Sequence, residues 1–217
     1  MDYSPFFISL KTSLCATAVA FIFGTAVARW TYGLKNSSFK AIVDGIFTLP
    51  LVLPPTVVGF CLLLFFGWNG PAGMFLRTLG YRLVFSWEAT VLAAAVVAFP
   101  LIYRTMRASF EQIDSNIIDT ARTLGLNERT IFFRVMLPNA QSGCVAAAVL
   151  GFARAMGEFG ATLMLAGNIP GRTQTLPIAI WSAVEGNEMT TAAVWVTLMI
   201  LLSFAVIYLL NTYTERH

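Results

Sequence analysis

The stretch Glu111–Pro138, EQIDSNIIDTARTLGLNERTIFFRVMLP, is the one long segment of this 217-residue chain that water could hold. Glu111, Asp114, Asp119 and Glu128 are interspersed there with Arg122, Arg129 and Arg134. On either side lie apolar runs long enough to cross a bilayer, which needs about 20 mostly apolar residues for ~30 Å of hydrocarbon. A membrane protein with one structured loop of this length is expected to present it to another protein.

Composition supports the membrane reading. Only 12% of residues are charged and 57% are hydrophobic, with a mean hydropathy of +0.73; a soluble domain carries about 25% charged residues. The chain is therefore expected to be an all-α integral membrane protein with the lipid bilayer as its surroundings. Cys15, Cys61 and Cys144 sit singly in apolar runs, without the spacing of a disulfide framework or a zinc site. The only histidine is His217. No phosphate-binding glycine loop is present, and no nucleophile has a base nearby in sequence. The expectation is no catalytic residue, no metal, no cofactor and no enzyme activity. The spans also lack the Asp/Glu/His relay of a proton-coupled carrier, so energy for uphill movement would have to come from another subunit.

Five spans are expected, at about 8–30, 45–67, 86–106, 139–166 and 191–211, in a single domain over 1–217. The first could imitate a cleavable leader, since Ala26-Val27-Ala28 resembles a cleavage site. Its start is hardly basic and its apolar run is long, so a retained span is expected. In the second span Pro50, Pro54 and Pro55 each remove a backbone donor. Such a break survives in a bilayer only where protein or a water-filled cavity satisfies the freed carbonyls, so Pro54 and Pro55 either line a pathway or kink a helix for packing. Residues 68–85 read as a loop flanked by Trp68 and Trp87. Residues 173–184 are too short to cross and read as interfacial or re-entrant.

If the 107–138 loop is cytoplasmic, Arg29, Lys35, Lys40, Arg104, Arg107, Arg122, Arg129, Arg134 and Arg216 lie inside and Lys11, Arg77, Arg82 and Arg172 outside. Nine against four obeys the positive-inside rule, which places the N-terminus outside and the C-terminus in the cytoplasm. In the fourth span Gly143, Ala147, Gly151 and Ala155 form a small-residue ridge for close helix approach. Arg154 and Glu158, four apart, share a face beside it. A charge near mid-membrane costs at least ~2.5–3.5 kcal/mol, so they either line a solute path or its gate, or neutralise each other to fix the helix.

Within the loop, Asn116 can cap a short helix over Ile117–Leu124, and Gly125 suits the left-handed position after it. Asn127 can cap a second helix from Glu128. A DNA-binding helix-turn-helix is excluded by the missing third helix and the flanking spans, so no nucleic-acid partner is expected.

Asp119-Thr120-Ala121, Gly125, Val135 and Leu137-Pro138 resemble the E-A-A…G…I-x-L-P signature of ABC importer membrane subunits. Asp119 stands where the signature has glutamate, and Thr120 where it has alanine. The resemblance implies a type I importer permease fold and a coupling helix that docks on a cytoplasmic ATPase, with Asp119, Ala121 and Gly125 shaping it and Leu137 and Pro138 orienting it. LPLVLPPTVVG (49–59), ARTLG (121–125), RAMGEFGAT (154–162) and NIPG (168–171) are similar to the molybdate branch of that family, with sulfate and tungstate permeases as near alternatives. What this implies is molybdate import across a bacterial inner membrane by alternating access. The implied assembly is a homodimer with cytoplasmic ABC ATPase subunits and an extracytoplasmic molybdate-binding protein. A stand-alone membrane channel is the alternative from another class.

Overall fold

A computed structural model describes residues 2–34 and 36–214; Lys35 and Arg216 of the charge bias, and His217, lie outside them. The described residues form helices and connections, with no strand. Helix α1 (Ser4–Tyr32) and helix α5 (Trp87–Glu111) make the most extensive helix contact in the molecule. They run parallel: Thr12 meets Thr90 through their hydroxyls at 2.9 Å near one end, and the Tyr103 hydroxyl donates to Thr31 at 3.3 Å near the other. Two buried hydroxyls on α1 are satisfied within their own helix, Ser13 donating to the Ser9 carbonyl at 2.7 Å and Thr17 to the Ser13 carbonyl at 2.6 Å.

Two parallel helices require the chain to return between them. It does so through α2 (Ser37–Val52) and α3 (Pro55–Phe66), which meet at 110°. The helix continues through Pro50 and stops at Leu53-Pro54, where both residues are extended (ψ 142° and 136°). Each of these two precedes a proline, and the ring that follows excludes the helical conformation. The expected span at 45–67 is thus two helices at an abrupt angle, and the first begins well before residue 45.

Residues 68–85, expected as a loop, contain α4 (Pro71–Thr78), with Pro71 at the first helical position. Beyond α5 come α6 (Ser115–Thr123), α7 (Glu128–Ile131), a π-helical turn over Phe132–Met136 and α8 (Leu137–Asn139). Pro138 has no N–H to return to the Arg134 carbonyl, and the wider π turn accommodates this; Asn139 Nδ2 donates to the Val135 carbonyl at 2.7 Å. A 77° bend then leads into α9 (Gln141–Met156). The expected continuous span over 139–166 is interrupted at Gly157-Glu158-Phe159 and resumes as α10 (Gly160–Ala166). Pro170-Gly171 forms a type II turn, with Gly171 at φ +71° and Arg172 N–H donating to the Ile169 carbonyl at 3.1 Å. Helices α11 (Leu176–Glu185) and α12 (Met189–Thr214) complete the chain.

Three helices, α1, α5 and α12, are long and apolar enough to cross a membrane, and five crossings result if each bent pair is one span. Helix α5 is the hub. One face packs with α1 and α9 around Ala16, Ala98, Ile102, Met106 and Ala147, and another with α3 and α10 around Val58, Ala93, Val97, Ala161 and Leu165. Gly143 and Gly151 lie directly against Ser109 and Ile102 of α5, so the small-residue ridge buys a close crossing. Helix α12 is little buried and turns apolar residues such as Leu201 and Phe204 outward, as hydrocarbon permits.

Candidate functional site

Two features stand apart from packing: the capped α6–α7 segment, and the junction where α3 meets α10. Helix α6 starts two residues earlier than the sequence indicates. Its cap is Asp114, whose Oδ1 accepts the Asn116 N–H at 2.9 Å, and Asn116 lies inside the helix. Asp114 takes this role because α5 ends only at Glu111, so the chain turns at once. At the far end Gly125 has φ +77°; its N–H donates to the Arg122 carbonyl at 2.9 Å and that of Leu126 to the Ala121 carbonyl at 3.2 Å. These two bonds are a Schellman C-cap. Asn127 then caps α7, accepting the Thr130 N–H at 2.8 Å.

Helix α6 is two-faced. Ile118 and Ala121 are buried on the body, whereas Ile117, Leu124 (75% exposed) and Leu126 point outward. Asp119 and Thr120 are also exposed. The base is fastened by charge: Arg122 donates to Asp119 at 2.9 Å and to Glu128 at 2.8 Å, and Glu128 also pairs with Arg29 at the end of α1. The Arg122 hydrogen bond holds the Glu128 carboxyl below the usual carboxylate range, and the same bond raises Arg122. Leu137 and Pro138 stand immediately after the π turn, three and two residues before the bend at Ala140 into α9. An apolar tip on a fastened base is suited to protein docking. Sequence reasoning missed Arg29 and Glu128, which are 99 residues apart.

The second feature joins all four of the remaining candidates. Glu158 is 1% exposed in its side chain, and Arg154, 28% exposed, donates to its Oε2 at 2.9 Å. Glu158 Oε1 accepts the Ala161 N–H at 2.7 Å, so both carboxylate oxygens are used, and one of them anchors the start of α10. The first turn of α10 lies on the first turn of α3: a Cβ built on Gly160 would stand 3.3 Å from Pro55 Cβ and 3.0 Å from Thr56 Cγ2. A Cβ on Gly59 would meet Ala161 Cα at 2.7 Å. Pro54 is exposed at the break, and Pro55 begins α3 behind it. The structure therefore brings the Pro54-Pro55 break and the Arg154–Glu158 pair to one junction of interrupted helices, a proximity that sequence spacing does not reveal. Among the described residues no cluster of three or more His, Cys, Asp or Glu could hold a metal ion.

A family model described as binding-protein-dependent transport system inner membrane component matches residues 12–217. The chain is 42% identical over 189 residues to the molybdenum transport system permease protein ModB of Haemophilus influenzae, covering 85% of this chain and 82% of that one. It is 40% identical over 194 residues to ModB of Escherichia coli K12, covering 88% and 84%. Among solved structures, a chain of the MetNI methionine ABC transporter in its inward-facing conformations superposes with a TM-score of 0.73 at 16% identity, over 98% of this chain and 94% of that one. The fold is shared.

Proposed function

This chain belongs to the binding-protein-dependent transport system inner membrane component family, and from that premise we propose that it is the membrane-spanning permease subunit of an ATP-driven molybdate importer. The observation that carries the reading is the α6 segment, a capped helix whose outward apolar tip is held on an ion-paired base. A cytoplasmic ABC ATPase is the partner it fits, with Asp119, Ala121 and Gly125 shaping the docking element and Leu137 and Pro138 directing it into the membrane. The substrate follows from 40–42% identity to molybdenum permeases over more than four fifths of the chain. An extracytoplasmic binding protein delivers the oxyanion, and two copies of this chain enclose the pathway.

The α3–α10 junction serves as the pathway gate. Because Glu158 already neutralises Arg154, the pair acts as a latch between the end of α9 and the start of α10 and not as an anion trap. ATP-driven approach of the docking elements opens the junction outward, and release of ADP and phosphate returns it, so the site is exposed alternately to the two sides. The N-terminus lies outside and the C-terminus in the cytoplasm. Support for this comes from the grouping of Arg29, Lys40, Arg107 and Arg122 at the α6 end, while the Lys11 ammonium sits over the Trp87 ring at 3.9 Å at the opposite end.

The test is uptake into proteoliposomes holding this chain with its cognate ATPase and binding protein, with molybdate, tungstate and sulfate in competition. ATP-dependent accumulation in which molybdate outcompetes sulfate supports the reading. Preference for sulfate reassigns the substrate, and ATP-independent conduction by this chain alone overturns the permease role in favour of a channel.

A further inference from the structure

Phe99, Tyr103, Arg107 and Glu111 recur every fourth residue on α5 and so form one continuous stripe. Helix α2 runs antiparallel alongside and answers the stripe rung by rung. Lys40 Nζ pairs with Glu111 at 2.9 Å, Asp44 pairs with Arg107 and accepts the Tyr103 hydroxyl, and Phe47 packs at 5.7 Å from Tyr103 and 5.6 Å from Phe99. Arg107 also reaches Glu111 through Nε at 3.0 Å, which links the two outer rungs.

Little else holds α2 in place. Val43 is its one buried apolar residue, while Phe39, Ile42, Ile46, Leu49, Leu51 and Val52 face outward. In a membrane those side chains gain nothing by choosing α5 over lipid, because acyl tails are equally apolar. Register and attachment therefore rest on the ladder. At one end Glu111 closes α5, three residues before the Asp114 cap of α6. At the other, α2 stops at the Leu53-Pro54 break, beyond which α3 is seated on α10 through Gly59 and Gly160.

We infer that Arg107 and the ladder built on it are the positioning device that makes α2 follow the docking segment, so that displacement of α6 reaches the Pro54 break and the α3–α10 junction. Arg107 is suited to this because its fork engages Asp44 and Glu111 together, whereas a lysine offers a single point charge. The transport consequence rests on the permease reading above; the mechanical linkage stands on the ladder alone.

The test exchanges the outer rung. In proteoliposomes with ATPase and loaded binding protein, Lys40→Glu and Glu111→Lys are each expected to lower molybdate taken up per ATP hydrolysed by about fivefold, the lower end of a typical coupling free energy. Hydrolysis itself continues, and the double exchange K40E/E111K restores part of the ratio, since the swapped charges can again pair while Arg107 keeps Asp44 but loses Glu111. In parallel, spin labels on outward-facing α2 and α5 positions of the same complex report the interhelix distance. It broadens in each single variant and narrows again in the double. An unchanged ratio in the singles, or a double no better than either single, overturns the proposal. If the wild-type complex takes up no molybdate, the permease reading fails, and the distances alone then judge the ladder: a distribution unmoved by the single exchanges overturns it.

Discussion

Gly125 occupies a left-handed conformation with open space around any added Cβ, so its requirement is conformational and not steric. An L residue there pays roughly 1–2 kcal/mol, and asparagine less than a β-branched residue. Gly125→Asn is therefore expected to keep association with the ATPase, whereas Gly125→Val loses it while still inserting in the membrane. Co-purification measures both, and wild-type recovery with Val would refute the docking role. At the second site, Glu158 serves Arg154 and the Ala161 amide, while Arg154 is partly open. Glu158→Ala should cost more stability than Arg154→Ala, toward the ~3–5 kcal/mol seen when a buried pair loses one member. Thermal unfolding in detergent gives the order, and equal losses would contradict it. The pair was legible in the sequence because four residues is one helical turn. The amide bond was not, because nothing marked the helix as ending at Gly157 until Glu158 was seen turning inward.

At the level of elements, the 110° break illustrates how prolines share a task. Pro54 keeps Leu53 extended and Pro55 keeps Pro54 extended. Replacing Pro54 alone should leave the bend, since Pro55 still excludes the helical conformation at residue 54; P54A/P55A should allow α2 to run on. Spin-label distances between mid-α2 and mid-α3 test this: a bend lost in the single variant would be evidence against the division of labour. The proline cluster announced a break and the Pro54-Pro55 pair was its candidate site, but that the helix runs through Pro50 and stops only at Leu53 is seen in the folded chain. Helix α4 escaped notice for a different reason. Its eight residues are too few to show a period, although Gly70-Pro71 is a legitimate helix start. The shift of the α6 cap from Asn116 to Asp114 has the same origin: several residues in DSN can cap, and the exit of α5 chooses among them.

For the whole molecule, the parallel arrangement of α1 and α5 requires one return crossing between them, and antiparallel α9 is itself the next return. Given those crossings and the charge grouping, a cysteine at Arg77 should be labelled by an impermeant maleimide in intact cells, and one at Arg122 only after permeabilisation. Labelling in the reverse order would invert the proposed orientation. The apolar runs and the arginine bias were visible in the sequence because they are sums over many residues. The α2–α5 ladder was half visible, as the every-fourth-residue stripe on α5, but its partner lies some sixty residues away and only the folded chain says which residues answer it.

The hydroxyls of α1 carry one more consequence, for biogenesis. Helix α1 leaves the ribosome well before α5 exists, by roughly ten seconds at usual elongation rates. During that interval Ser13 and Thr17 face hydrocarbon without α5 or α9 to cover them. Each of these two hydroxyls already donates to a carbonyl one turn back in its own helix, so neither has to wait for a partner. Thr12 depends on the latecomer, through Thr90 at 2.9 Å and the Trp87 indole at 3.0 Å. The first helix can thus be released into lipid early and still recognise its neighbour when it arrives.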